Sequence, residues 1–309
     1  MTTLRTEGWK KEEDCRTRMD AEAGDACNQF FTAKLCFQSD NTDGGEQVLR
    51  WLTMSAEGGY AWGLEALASI CLDGKIAYPN GKAKWSAPKD TVRAAVYLER
   101  LVEYGWSDLW IAKNPNALWR LRSAPETLLA RMYLSGEGVA KDVRHGLWLH
   151  HLATIGLDYA EVSMKELGTM YLHGAEGVTK DAQKAAYWML KYDIRSDRPT
   201  CYAEYLREYF LRESDDSELV LGHSQIREVR SQDPEAFMRG LDIYLNDEVE
   251  RKWLLWSRSK HDYNDWYHRG NAPEGSYVLA EPNPYRTMRK DRVKAEKYIA
   301  SLWNGGGID

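Results

Sequence analysis

The sequence predicts an all-α fold built as a stack of antiparallel helix hairpins, because two short phrases recur along the chain. The first phrase starts at Leu67 and returns at Leu129 and Leu167, with a small residue, three apolar positions and a glycine at fixed spacing. The second starts at Asp90 and returns at Asp181, with a basic residue, an alanine and an aromatic following at fixed distances. Such self-similarity predicts a fold in which function lies on an extended surface.

The spacing within one unit explains why each phrase forms a helix. Leu167, Met170 and Tyr171 lie at positions i, i+3 and i+4, which places them in one apolar stripe. Glycines at 174 and 177 then end that helix in a tight loop. Asp181 is predicted to cap a second helix, in which a small alanine allows close approach and Trp188 fills the space between the two helices.

A unit of this composition resembles the Sel1-like repeat, a relative of the tetratricopeptide repeat. The matching features are leucine-glycine, tyrosine, glycine, glycine-valine, aspartate, lysine-alanine and an aromatic residue. Four units are recognisable, at about 25–60, 61–106, 124–159 and 160–196. The resemblance implies a right-handed α-solenoid whose first helices line a concave, protein-binding surface.

The expected organisation is one continuous array. Residues 1–196 form the repeat array, with a leading half-repeat and an inserted loop at 75–89. Residues 197–309 are predicted to be degenerate helical repeats that end in a capping helix. Repeats that contact only their neighbours fit one elongated domain better than two globules.

Composition narrows the class of function. The 309 residues carry a formal net charge of −6, with a pI near 5.8, which argues against a nucleic-acid partner. No stretch of the sequence is long and apolar enough to cross a bilayer. We expect a cytoplasmic protein as the sequence is written, and a periplasmic one if a leader has been removed.

Five cysteines leave at least one unpaired. Cys36 and Cys71 occupy equivalent positions in first helices, so we interpret them as buried packing residues. Cys15 and Cys27 would meet if the first two helices are antiparallel, and both the bridged and the reduced states stay open.

Catalytic signatures are scarce in the sequence. It has no phosphate-binding glycine loop, no paired-cysteine motif, no zinc-protease motif and no nucleophile elbow. His261, Asp265 and His268 would share one face of a helix and offer metal ligands, but a solvated helix end is the favoured interpretation. His150 and His151 face different directions on a helix and do not form a site together. No cofactor is expected.

Tryptophans and lysines mark the candidate binding surface. Trp51 and Trp188 fit core positions, whereas other tryptophans lie in the insertion or in the join between units, where they either cap the spine or contact a partner. The insertion carries four lysines and no acid, and its prolines and Asn80-Gly81 predict a loop or hairpin. We expect it to contact an acidic partner, against the alternative of a solvated loop. The candidate partner-binding residues are Lys75, Lys82, Lys84, Trp85, Lys89, Trp106, Trp110 and Trp119.

The function predicted from these features is a non-enzymatic scaffold for protein–protein interaction. The resemblance implies an adaptor, a regulator, or an immunity or inhibitor protein in bacteria, with a toxin or effector among the conceivable partners. A metal-dependent enzyme that uses the atypical C-terminal segment is the second hypothesis. A structural subunit of a larger assembly is the third.

Overall fold

A computed structural model describes residues 16–38, 44–77, 82–104, 124–155, 160–196, 224–253, 284–289 and 291–303. Twelve helices and two strands have defined bounds within these ranges, and short helical stretches also cover 16–22 and 248–253. The helices are α1 (Ala26–Gln38), α2 (Gly44–Glu57), α3 (Ala61–Asp73), α4 (Thr91–Tyr104), α5 (Pro125–Ser135), α6 (Val143–Ala153), α7 (Ala160–His173), α8 (Ala182–Ser196), α9 (Ser224–Gln232), α10 (Pro234–Asn246), α11 (Pro284–Arg289) and α12 (Arg292–Ser301). The strands are β1 (Lys75–Ala77) and β2 (Ala83–Ser86).

The predicted all-α solenoid class is confirmed. The chain divides into two compact units, Met1–Lys141 and Asp142–Asp309. In the first unit, α1 packs on α2, α2 on α3, α3 on α4 and α4 on α5. In the second unit, α6 packs on α7 and α7 on α8, and α8 then receives α9 and α10. Helices that are consecutive in the chain therefore form the layers.

The ends of the helices follow the repeated phrases. Gly174 ends α7 with a φ of +76°, a left-handed conformation that glycine adopts without strain. The Asp181 carboxylate accepts a hydrogen bond from the Lys184 backbone N–H at 3.0 Å, as predicted for a helix cap. Asp90 and Asp142 make the same bond at the start of α4 and α6.

The insertion after α3 folds as a β-hairpin, one of the two forms that the sequence predicted. Lys75 pairs with Ser86, and Ile76 pairs with Trp85, in an antiparallel register. The base of the hairpin is tied to α3, because the Asp90 backbone N–H donates to the Cys71 carbonyl at 3.0 Å. We call the described residues 75–77 and 82–89 the lysine hairpin.

The segment in which the repeat fades is helical where the structure describes it. Gly240 lies in the middle of α10, at the point where this helix crosses α8. A Cβ atom at Gly240 would lie 2.5 Å from the Gln183 carbonyl oxygen and 2.6 Å from the Ala186 methyl group. The absence of a side chain at Gly240 thus lets α10 cross close to α8.

Of the two cysteines interpreted as buried packing residues, only Cys36 is buried. Cys36 is buried and Cys71 is half-buried, and burial raises the pKa of both thiols. Cys27 is a free cysteine, while Cys15 and Cys201 lie outside the described residues.

Among the helices that the structure describes, none is long and apolar enough to cross a membrane.

A lysine hairpin and a buried charge cluster as candidate sites

The lysine hairpin is anchored to the first unit by Lys84. Its ammonium donates a hydrogen bond to the Phe37 carbonyl at 2.6 Å, in the last turn of α1. A cation at this helix end satisfies an otherwise unpaired carbonyl and complements the helix dipole. The same ammonium lies over the rings of Phe37 and Trp85, at 5.2 and 4.5 Å from their centroids. The charge of Lys84 is therefore engaged within the chain.

Trp85 makes the second anchor of the hairpin. Its ring lies on the first turn of α2, where a Cβ atom at Gly44 would come within 2.8 Å of it. It also meets the Phe37 ring edge to face, at a centroid distance of 5.8 Å. These contacts give Lys84 and Trp85 an anchoring role, and their predicted contact with a partner stays a prediction.

The other three lysines of the hairpin differ in exposure. Lys82 is exposed, and Lys75 is half-buried at the start of β1. Lys89 has a side chain 61% exposed and forms an ion pair with Glu137 at 3.5 Å. An exposed pair of this kind contributes about 0–1 kcal/mol, so it leaves Lys89 available to a competing carboxylate. The solvent-facing charge of the hairpin resides mainly on Lys82 and Lys89.

The remaining predicted site residues lie outside the described part of the chain. They comprise the three tryptophans of the join and the three potential metal ligands of the C-terminal segment. No group of three or more histidine, cysteine or carboxylate side chains suited to a metal ion occurs within the described residues. The residues outside it are Trp106, Trp110, Trp119, His261, Asp265 and His268.

A buried charge cluster in the second unit was not predicted from the sequence. Its centre is Lys191 of α8, whose side chain is fully buried. The ammonium lies 3.2 Å from the Glu250 carboxylate and 3.5 Å from the Asp247 carboxylate, both also buried. It donates hydrogen bonds to the hydroxyls of Tyr187 and Tyr298, each at 3.0 Å. One cation and two carboxylates thus share a buried site.

Three tyrosine hydroxyls complete the hydrogen bonding of the two carboxylates. Tyr187 and Tyr298 donate to the Asp247 carboxylate at 2.7 and 2.6 Å, and Tyr285 donates to Glu250. The second oxygen of Asp247 accepts the backbone N–H of residue 250 at 3.1 Å. The cluster joins α8 to α11, to α12 and to the start of the helical stretch at 248–253.

The electrostatics of the cluster favour a structural role. Burial raises the pKa of Tyr187 and Tyr298 well above the usual tyrosine range, and neighbouring carboxylates add to the rise. Their hydroxyls therefore stay protonated at neutral pH and act as fixed donors. General acid–base catalysis needs a group that titrates near the working pH, which these hydroxyls do not provide.

A surface cavity of about 440 Å³ opens beside the cluster, and both Asp247 and Tyr298 line it. A third lining residue, Glu248, forms an ion pair with Lys252 at 2.9 Å. Asp247 is already saturated by the cluster. Neither Asp247 nor Glu248 is therefore placed as a free base in this cavity.

The neighbouring histidines of α6 are buried and act separately, as predicted. His150 lies between the Ser163 hydroxyl, at 3.1 Å, and the Glu166 carboxylate, at 3.4 Å. Although this set resembles a catalytic triad, Ser163 is fully buried and cannot meet a substrate. His151 lies 3.2 Å from the Tyr171 hydroxyl. Burial lowers the pKa of His151 to about 3, helped by the nearby charges of His150 and two lysines.

Comparison with known proteins finds one matching family model and similar solved structures. Residues 126–154 and 162–191 match the family model described as Sel1 repeat. A Sel1 repeat protein from Oxalobacter formigenes is similar at 19% identity and a TM-score of 0.41, over 95% of this chain and 82% of that one. The protein c5321, a protective antigen of uropathogenic Escherichia coli with an SLR fold, is similar at 16% identity and a TM-score of 0.36. That similarity covers 95% of this chain and 72% of c5321. No curated protein matches the chain.

Proposed function

The chain is a Sel1-like repeat protein, and on that premise we propose that it is a non-enzymatic scaffold that binds a partner protein. Sel1 repeat proteins are generally scaffolds for protein–protein interaction. The described residues offer large packed helices and two clusters of polar side chains, of which neither has the geometry of a catalytic site. Binding rather than chemistry is the function that this architecture serves best.

The observation that supports the proposal is the anchored lysine hairpin. Lys84 and Trp85 fix its second strand against α1 and α2, so the hairpin loses little conformational freedom when a partner binds. The side chains of Lys82 and Lys89 are exposed, in a chain whose net charge is −6. A rigid basic element on an acidic protein fits an acidic patch on its partner.

The mode of action that we propose is occlusion. A scaffold of this kind covers a surface of its partner by shape and charge complementarity, as an adaptor, a regulator or an immunity protein does. The hairpin would set the orientation of the partner, and the first helices of the repeats would supply the area. The tryptophans at 106, 110 and 119 stay part of this prediction as further contacts.

The experiment begins with capture of partners from native lysate on the full chain, followed by purification of the protein recovered. Its affinity is then measured for the wild type and for Lys82→Glu/Lys89→Glu, which reverses the two exposed charges and leaves both anchors in place. We expect the variant to bind at least tenfold more weakly than the wild type, a difference of about 1.4 kcal/mol or more. Because salt screens exposed charges, the difference between the two proteins should become much smaller at high salt.

A matched control separates the hairpin from net charge. Lys180 and Lys297 are exposed lysines of the second unit, and Lys180→Glu/Lys297→Glu changes the total charge by the same amount. We expect this variant to bind as the wild type does. Equal binding by the hairpin variant, or equal losses in both variants, would contradict a role for the hairpin in recognition.

A further inference from the structure

The outer face of α8 is apolar and fully covered. Ala186, Tyr187 and Leu190 are at most 1% exposed, and the core around them includes residues from α9, α10 and the C-terminal end. Trp303 meets the Tyr187 ring edge to face, at a centroid distance of 5.3 Å. We call residues 234–253, 284–289 and 291–303 the C-terminal cap, because together they cover this face.

Two lysines of α8 are buried under the cap. Lys184 is 9% exposed, and its ammonium lies 5.5 Å from the centroid of the Trp303 ring. Lys191 is the fully buried residue whose ammonium meets the carboxylates of Asp247 and Glu250, both of which belong to the C-terminal cap. Burial of an ammonium without a partner is strongly unfavourable, and removal of one member of a buried pair is strongly destabilising. Any surface that covers α8 must therefore supply anions at this point.

An apolar helix face does not meet that requirement. Leu167 and Gly168 form such a face in α7, where Gly168 packs on Met189 of α8 in the same hairpin. Such a face, brought from a second copy of the chain, would leave Lys191 buried and unpaired. Specificity often arises from this kind of penalty against the wrong partner.

We propose that Lys191 determines what can cover the outer face of α8, admitting the carboxylate-bearing C-terminal cap and excluding an apolar repeat face of a second copy. The inference goes beyond the scaffold function and concerns the second unit alone. The cap thus covers α8 with two carboxylates that match the positive charge of Lys191. Lys191 is a positioning residue that acts through Asp247 and Glu250.

The tyrosines of the cluster explain how the closure is completed. Tyr187 contributes from α8 and Tyr298 from the cap, and both hydroxyls bridge the ammonium to Asp247. Each hydroxyl accepts from the lysine and donates to the carboxylate, which leaves the polar atoms paired. A fully satisfied buried network specifies one arrangement, whereas a partly satisfied one destabilises it.

The test compares three variants of the full chain by hydrogen–deuterium exchange and sedimentation. Lys191→Met removes the cation and leaves an apolar face under a mismatched cap. Asp247→Asn/Glu250→Met removes the anions and leaves Lys191 on the face; asparagine keeps the helix cap at 247. The combination of all three substitutions removes every formal charge of the cluster.

We expect both partial variants to open the cap, with at least a tenfold loss of amide protection over 284–303. Protection over α7 and over 44–104 should stay unchanged. Only Lys191→Met should self-associate, because its opened face has lost the charge of Lys191, which the Asp247→Asn/Glu250→Met variant keeps. The triple variant should close again and stay monomeric, since neutral packing can replace a buried ion pair.

Four results would overturn the proposal. The first is a cap that stays closed in Lys191→Met, and the second is equal self-association of both partial variants. The third is a triple variant whose cap stays open, and the fourth is a loss of protection in α7 together with the cap. The first and third deny that charge matching closes the cap. The second denies that Lys191 excludes a second copy, and the fourth shows a general core defect in place of local opening. None of these results depends on partner binding, so the scaffold function is tested separately.

Discussion

Helices α4 and α8 occupy the same place in the repeat, yet their outer faces differ. Each begins at a capping aspartate, Asp90 or Asp181, and each buries the alanine four residues later completely. Six residues after the cap, α4 carries Val96, 49% exposed, and α8 carries Tyr187, fully buried. The repeat phrase therefore specifies the inner packing of a second helix, while the surroundings in each unit determine its outer face.

The largest expected effect concerns the aromatic position seven residues after the cap. Trp188 of α8 is fully buried, whereas the equivalent Tyr97 of α4 is half-buried. We expect Trp188→Ala to lower the free energy of unfolding of its unit by about 3–5 kcal/mol. Tyr97→Ala should cost less than about 2 kcal/mol, because its side chain is less buried. Native-state hydrogen exchange in α8 and α4 measures both, and equal losses would show that the two helices are packed alike.

Acid should weaken the second unit more than the first. Burial holds His151 neutral with a pKa near 3, below the value of 6.5 that applies when the chain unfolds. The stability that this depressed pKa contributes is present above pH 6.5 and is lost as the pH falls toward 3. Between pH 7 and pH 5 the loss amounts to about 2 kcal/mol for this one group.

The control for this pH dependence is His151→Phe, which removes the titrating ring and keeps its bulk beside Trp188. Denaturant titrations across pH 7 to 5, followed by exchange in α6 and α7, should show a flatter profile for the variant. An unchanged slope would mean that another group is responsible.

The crossing of α10 over α8 provides the next test. Gly240→Ala would bring a methyl group against the Gln183 carbonyl and the Ala186 side chain. Overpacking of this kind costs about 1–3 kcal/mol, and it should lower protection in α10 without affecting the first unit. Asp242→Ala, at an exposed position of the same helix, is the control and should stay within about 0.5 kcal/mol. Tolerance of the alanine at 240 would mean that the two helices can separate at little cost.

Local spacing was enough to predict the repeated part of the fold. The glycine after α7 and the aspartate before α8 adopt the predicted capping roles, because a helix end depends on residues within one turn. The helical nature of α10 agrees with the prediction of degenerate helical repeats over 197–309. These features share one property, which is that their interactions join residues close in sequence.

The candidate sites required information that local spacing lacks. The hydrogen bond from Lys84 to the Phe37 carbonyl spans 47 residues, and the one from Lys191 to Tyr298 spans 107. No phrase of the repeat contains these pairings, so four hairpin lysines appeared equivalent and Lys191 went unnoticed. A lysine directly after the apolar run from Ala185 to Leu190 was the signal available, since a buried lysine requires an anion from elsewhere.

The smallest expected effect tests whether the outer face of α4 is uncovered. Val96→Ala should change the free energy of unfolding by no more than about 0.5 kcal/mol, because half of this side chain is already in water and alanine favours a helix. The matched change on α8, Tyr187→Ala, removes a buried ring and its hydrogen bond to Asp247, and should cost several times more. Both are measured by exchange within the substituted helix. A loss above about 1 kcal/mol for Val96→Ala would show that the outer face of α4 is covered in solution. Helices α4 and α8 would then both have covered outer faces, and only the covering residues would differ.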